Sequence, residues 1–197
     1  MILSKKIPAI SVLFLGLAAA SAPAVADWTL DGAASSLYYV TSKAAAISEV
    51  NRFTGLSGRV TDAGQATLDI DLGSVATNIE IRDQRMREIV FQVDQFPSAS
   101  VVLQVDGAAL SALKPGEVRE QQVEARLSLH GVEQTLPARV AITGLAGGAL
   151  QVHNLEPLLV AAGSYGLAAG VEQLREIAGL PSINPNIVVN FTLVYRR

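Results

Sequence analysis

The stretch "ARLSLHGVEQTLPARVAI", residues 125–142, alternates apolar and polar side chains and changes phase at one point. Ala125, Leu127 and Leu129 share one parity, with Arg126, Ser128 and His130 on the other. Beyond Gly131 the apolar positions become even: Leu136, Ala138, Val140 and Ile142. Side chains point to opposite faces along a strand, so the pattern predicts two half-buried strands joined by a turn. What lies against the apolar face decides the function: a solid core, a second sheet, or a cavity that holds something apolar.

The same rhythm recurs along the chain. "DWTLD" (27–31) and "SLYYVTSK" (36–43) are short and rich in aromatic or β-branched residues. "EVNRFTGLSGRVT" (49–61) carries Gly55 and Gly58, which predicts a bent or bulged strand. "ATLDIDL" (66–72), "SASVVLQVD" (98–106), "GALQVHNL" (148–155) and "NIVVNFTLVYRR" (186–197) complete the set. Eight or more strands with mostly short connections predict one antiparallel sheet, closed into a barrel or folded into a sandwich. "ALKPGEVRE" (112–120) reads as a loop with a Pro-Gly turn.

Two helices interrupt the strands. Residues 77–91 offer a capping box, Thr77 with Glu80, and an apolar side of Ile79, Met86, Ile89 and Val90. In 165–181, Leu167, Val171, Leu174 and Ala178 fall on one face, Gly179 suits the C′ position and Pro181 stops the helix. That apolar stripe must bury either over one end of the barrel, as a lid, or on the outside of the sheet. Gly163, Gly166 and Gly170 are expected to give a lid freedom to move.

The first 26 residues read as a cleaved signal peptide. Lys5 and Lys6 precede the apolar run "IPAISVLFLGLAAA", and "AVA" at 24–26 supplies a small-residue cleavage site before Asp27. Export across the inner membrane, and so a periplasmic location, is the expectation; residues 27–197 then form one domain. Cleavage removes two of the 15 basic residues and none of the 18 acidic ones, leaving Lys43 and Lys114 as the lysines. A chain more acidic than the formal −3 of the precursor is a poor partner for nucleic acid. No cysteine is present, which excludes disulfides, thiol chemistry and covalent haem attachment.

Catalytic or metal-binding patterns are thin. Asp69 and Asp71 share the polar face of an alternating strand and read as solvated. His130 and His153 lack metal-ligand spacing, so no metal site is expected. "AGSYG" (162–166) misses the nucleophile elbow at Ala162 and lacks the parallel strand that elbow needs; Ser164 reads as a helix N-terminal serine. Arg82, Asp83, Arg85, Arg87 and Glu88 form a charged helix face.

Five segments, in this order, resemble the lipocalin-like, polyisoprenoid-binding YceI-like family of exported bacterial proteins. They are "WTLDGAASSLYYVTSK", "FTGLSGRV", "LDIDLGSVATNIEIRDQRMRE", "VDQFPSASVVL" and "ARLSLHGVEQTLP". The most telling pieces are Thr77 with Arg82-Asp83, Phe96-Pro97, and Leu129-His130-Gly131-Val132, and the likeness spans residues 27–142. The family usually closes with a short loop and a strand, whereas here residues 163–186 insert a helix.

The resemblance implies an all-β dominated fold: an antiparallel lipocalin-like barrel of about eight strands with two helices, enclosing a long apolar tunnel. Composition leans the same way, since the chain is 50% hydrophobic but only 5% aromatic, and small aliphatics fill a barrel less completely than rings. The expected lining is Leu68, Ile70, Val101, Leu103, Leu127, Leu129, Val189, Phe191 and Leu193, with Arg82 at the mouth facing an anionic head group. The expected function is non-enzymatic binding or transport of an isoprenoid or similar lipid chain, without cofactor and with transient membrane contact. Two other readings stand beside it: an enzyme acting on a lipid or quinone-like substrate through Tyr39 or Tyr195, and an interaction partner of membrane redox or stress proteins.

Overall fold

A computed structural model describes residues 27–197; the signal-peptide reading concerns residues outside that range. Strands run β1 Trp28–Leu30, β2 Ser36–Lys43, β3 Ile47–Phe53, β4 Leu56–Val60, β5 Gln65–Asp71 and β6 Val75–Ala76. They continue as β7 Ser98–Gln104, β8 Val118–Leu129, β9 Val132–Gly144, β10 Leu150–Asn154, β11 Leu158–Ala161 and β12 Asn186–Arg196. Helices are α1 Glu80–Arg85, α2 Gly107–Ser111 and α3 Ala168–Ile177.

These twelve strands build an eight-stranded antiparallel barrel. Four of its staves are each broken into two strands: β1 with β2, β3 with β4, β5 with β6, and β10 with β11. Taken as staves, they pair in simple up-and-down order, and β12 closes the ring by bonding β10 and β11 on one side and β1 and β2 on the other. Closure joins the first and last staves, so among the described residues unpaired edges are confined to stretches of single staves such as β6 and β11.

Each break leaves backbone groups that a continuous ladder would have paired, and a short polar side chain takes them. Ser74 Oγ accepts from the amides of Thr54 and Gly55, at 3.1 and 2.8 Å, tying the β5–β6 corner to the β3–β4 corner. Ser35 Oγ accepts from Val194 N at 2.9 Å, and Asn154 Oδ1 accepts from Phe191 N at 2.8 Å. At three breaks the inward parity also shifts: Leu30 to Leu37, Phe53 to Leu56, and Leu72 to Val75. A one-residue slip turns a strand over, so the corners keep apolar residues inside while the staves bend.

The opening stretch is the β8–β9 hairpin. Leu129 faces Val132 across His130 and Gly131, both at positive φ (52° and 75°), a two-residue turn of the primed type. Such a turn sets odd positions opposite even ones, Ala125 against Leu136 and Val123 against Ala138. β8 reaches back to Val118, into residues the sequence assigns to a loop. Its first half is mostly polar and exposed, so it carries no alternation to read.

The helices depart from expectation in detail. The capping box between Thr77 and Glu80 does not form: Thr77 N donates to Asp83 Oδ1 at 2.8 Å, and Ile79 holds the N-cap position without a side-chain bond. After Arg85 the helix widens into a π-turn, Met86–Phe91. The wider turn buries both Val90 and Phe91, neighbours that a regular α-helix sets about 100° apart. The sequence reading lacks α2, whose start is the Asp106 cap: Oδ1 accepts from Ala109 N at 3.0 Å. Helix α3 starts at Ala168, later than read, because residues 162–165 form a 3₁₀ turn; Ser164 lies in that turn and makes no cap. It ends as expected at Gly179 (φ 62°), with Leu180 N bonded to Arg175 O and Gly179 N to Glu176 O.

The up-and-down path gathers both long insertions, 77–97 and 162–185, at one end of the barrel, beside the 44–46 and 130–131 turns. Helix α3 lies across that end and packs on the π-turn. Gly170 makes the approach possible: a Cβ there would sit 2.6 Å from Ile89 O and 2.9 Å from Val90 Cα. This glycine serves close packing, not hinge motion. Gly170→Ala is expected to cost about 1–3 kcal/mol, read as a lower midpoint of denaturant unfolding.

Candidate functional site

Inward alternation on all eight staves leaves an apolar cavity of about 380 Å³ along the barrel axis. Leu68 and Ile70 of β5, Val101 and Leu103 of β7, Leu127 and Leu129 of β8, and Val189, Phe191 and Leu193 of β12 all line it. The structure thus brings together the nine residues named from sequence. Sequence reasoning missed the contribution of Leu158 and Val160 of β11, and for Leu167, Val171 and Leu174 around α3 it left open a lid over the barrel end or packing outside the sheet. The stripe on α3 signals burial, but only the fold shows that it buries onto the cavity, over the end of the barrel.

The two ends differ. At the end opposite α3, Trp28 is 1% exposed, its indole N–H donates to Gly148 O at 2.9 Å, and the Arg197 guanidinium lies 4.1 Å from its ring centroid. Leu110 of α2, buried, lines the cavity on the same side. Gly107 and Gly144 let the neighbouring loops close in; a Cβ on either would meet a carbonyl oxygen within 2.3 Å. This end is sealed.

Towards α3 the lining turns polar. Along β2 the inward row reads Leu37, Tyr39, Thr41, Lys43, and facing it on β3 stand Phe53, Asn51 and Glu49. Glu49 Oε2 receives Lys43 Nζ at 2.9 Å and Arg82 Nη1 at 2.7 Å. Arg82 also donates from Nε to Thr77 Oγ1 at 2.7 Å and from Nη2 to the Thr77 carbonyl. The arginine singled out by the sequence therefore lines the cavity at this end, with one donor on Glu49 of β3 and two on Thr77 beside its own helix. The hydrogen bond from Lys43 holds the Glu49 carboxyl below its usual range against the opposing effect of burial, with Arg82 assisting.

Two phenols line the cavity. Burial raises the pKa of Tyr39 and pushes Tyr195 up to about 12, so both stay protonated at neutral pH and are poor bases. Asp69 and Asp71 are exposed, and His130 packs at a tilt against Phe96 with centroids 4.3 Å apart. Among the described residues no group of three or more His, Asp or Glu could hold a metal ion, and no helix is long and apolar enough to cross a membrane.

The sequence matches the family model described as YceI-like domain over residues 28–195, so the likeness continues past residue 142, through the inserted helix, to the last strand. A polyisoprenoid-binding domain from Saccharophagus degradans, implicated in plant cell wall breakdown, is 40% identical. It superposes with a TM-score of 0.84, covering 86% of this chain and 97% of that one. BcnA of Burkholderia cenocepacia shares the fold at 18% identity and a TM-score of 0.65, over 84% of this chain and 98% of its own. No curated protein matches the sequence.

The buried phenols generate a test. A neutral phenol favoured by the folded state contributes stability below the unfolded pKa of about 10, lost as pH rises through the folded value. For Tyr195 that window runs from about 10 to about 12. Tyrosinate absorbance from Tyr39 and Tyr195 is expected to appear together with loss of β-sheet circular dichroism, not before it.

Proposed function

The chain belongs to the YceI-like family, and we propose that it binds a polyisoprenoid or similar lipid in its interior cavity, without catalysis, in the bacterial periplasm. One observation carries the reading: an apolar cavity, packed at its Trp28 end and lined by Leu, Val and Ile from every stave, meets charged groups only at the end under α1 and α3. Such a shape fits an elongated apolar molecule with one polar end. The 40% identical domain described as polyisoprenoid-binding supports the class of ligand. The protonated state of Tyr39 and Tyr195 supports binding over proton-transfer chemistry.

The physics of transfer sets what the cavity must do. Each methylene removed from water is worth about 0.8 kcal/mol, so a long isoprenoid does not cross water unaided. A carrier has to offer an apolar surface comparable to lipid tails. Transfer between the two then nearly balances, and selectivity rests on length, shape and the polar groups at the mouth.

Support for the periplasm is the signal-like segment ending at Ala26. In the fold, Asp27 is bonded by Asp62 N at 3.1 Å and by Arg59. A chain cut at Ala26 therefore starts at an anchored residue. Intact-mass analysis of protein from the periplasmic fraction is expected to give a chain beginning at Asp27; the full-length mass there would overturn the assignment. The function itself is tested by native mass spectrometry and organic extraction of protein from its own envelope fraction. The expected result is a co-purifying lipid released into solvent. A clean apo mass, with no uptake of offered isoprenoids, sinks the proposal.

A further inference from the structure

Tyr39 on β2 and Asn51 on β3 face each other directly across the ladder and both line the cavity. They are 5% and 3% exposed. Asn51 Nδ2 donates to Thr41 Oγ1 at 3.0 Å, but Asn51 Oδ1 and the Tyr39 hydroxyl have no partner among the described residues. Buried polar groups are normally paired, and two orphans opposite one another in an apolar cavity call for an explanation. We propose that Tyr39 and Asn51 form the seat for a ligand hydroxyl, so that the cavity selects a lipid chain ending in a neutral alcohol. The proposal rests on the lipid-binding reading above and adds the chemistry of the polar end.

The donor and acceptor inventory decides between head groups. A phenol O–H donates and an amide oxygen accepts, and a ligand hydroxyl does both at once. A hydrocarbon end satisfies neither group, and a ketone oxygen can only accept from Tyr39. Burial raises the Tyr39 pKa, so the phenol remains a donor across the physiological range.

A phosphate fits poorly for an electrostatic reason. Lys43 and Arg82, the cations of the cavity lining, both rest on Glu49 Oε2. Asp83 stands behind them, bonded to Thr77, and adds a second negative charge to the cluster. An anion there gains little from cations already neutralised and loses its hydration.

Position agrees with this. Strands rise about 3.3 Å per residue, which places Tyr39 roughly 13 Å inside Lys43 on the β2 tip. Glu49 faces Thr41, two residues nearer the tip, so the seat lies about 7 Å below the Glu49 level, and the hydrocarbon runs inward past Leu37 and Phe53.

The test compares three probes on the lipid-stripped protein by native mass spectrometry titration: geranylgeraniol, geranylgeranyl phosphate and squalene. The wild-type protein is expected to hold the alcohol about tenfold more tightly than either other probe. Tyr39→Phe and Asn51→Leu should each remove about tenfold of the alcohol affinity and leave squalene retention unchanged. Melting temperature separates this from a structural role: Tyr39→Phe, which removes only an unpaired buried hydroxyl, should leave it level or raised, whereas Asn51→Leu also gives up the bond to Thr41. Tyr39→Phe removes a single oxygen and carries the test alone if Asn51→Leu does not fold. An unchanged alcohol-to-squalene ratio in the variants overturns the proposal while lipid binding stands. A preference for the phosphate that is lost in Arg82→Gln overturns it in favour of an anion seat. Failure of the wild-type protein to bind any of the three overturns the lipid-binding reading as well.

Discussion

The pairing of β12 on both its sides is the contact on which the rest of the molecule depends. One half of this strand bonds β1 and β10, the other bonds β2 and β11. It joins the last stave to the first and turns an open meander into a ring. Without it the sheet has two edges, and its apolar face has nothing to fold against. Every inward residue described above borders an enclosed space because that ring is closed.

Closure also settles where a cavity can exist. Eight strands give an interior that is either filled by side chains or able to hold one ligand. Here the inward rows are dominated by Leu, Val, Ile and Ala, and the aromatic contacts cluster at Tyr39, Phe53 and Phe91 towards the helical end. The space remains apolar over most of its length, and an apolar space of this size has too few polar partners to hold ordered water well. It is suited to hydrocarbon.

The asymmetry of the two ends follows from the path of the chain. An up-and-down meander returns every second connection to the same end, so the two long insertions meet there without crossing anything. Their meeting is tight, as Gly170 against Ile89 and Val90 shows, and it places α3 residues in the cavity wall. The opposite end carries short connections, α2 and Trp28 with its Arg197 partner, and is packed shut. Direction is therefore built into the barrel: a charged, partly exposed end and a tightly packed one that carries no charge in the lining.

Residues 125–142 show how much the sequence settles by itself. Period-two alternation and its parity change at His130-Gly131 determine the hairpin, its two-residue turn and the face each side chain takes, because those follow from local backbone geometry. The inward parity of the nine residues named from sequence was legible on the same ground. Thr77 shows the limit. Its capping-box spacing is a local signal, yet its bonds go to Asp83 and Arg82, because Arg82 is drawn to Glu49 on a distant strand. The polar first half of β8, the wall formed by α3 and the facing orphans Tyr39 and Asn51 likewise depend on neighbours far away in sequence. Which residues point inward is a property of each strand alone; what they enclose, and where the enclosure opens, exists only once β12 has closed the ring.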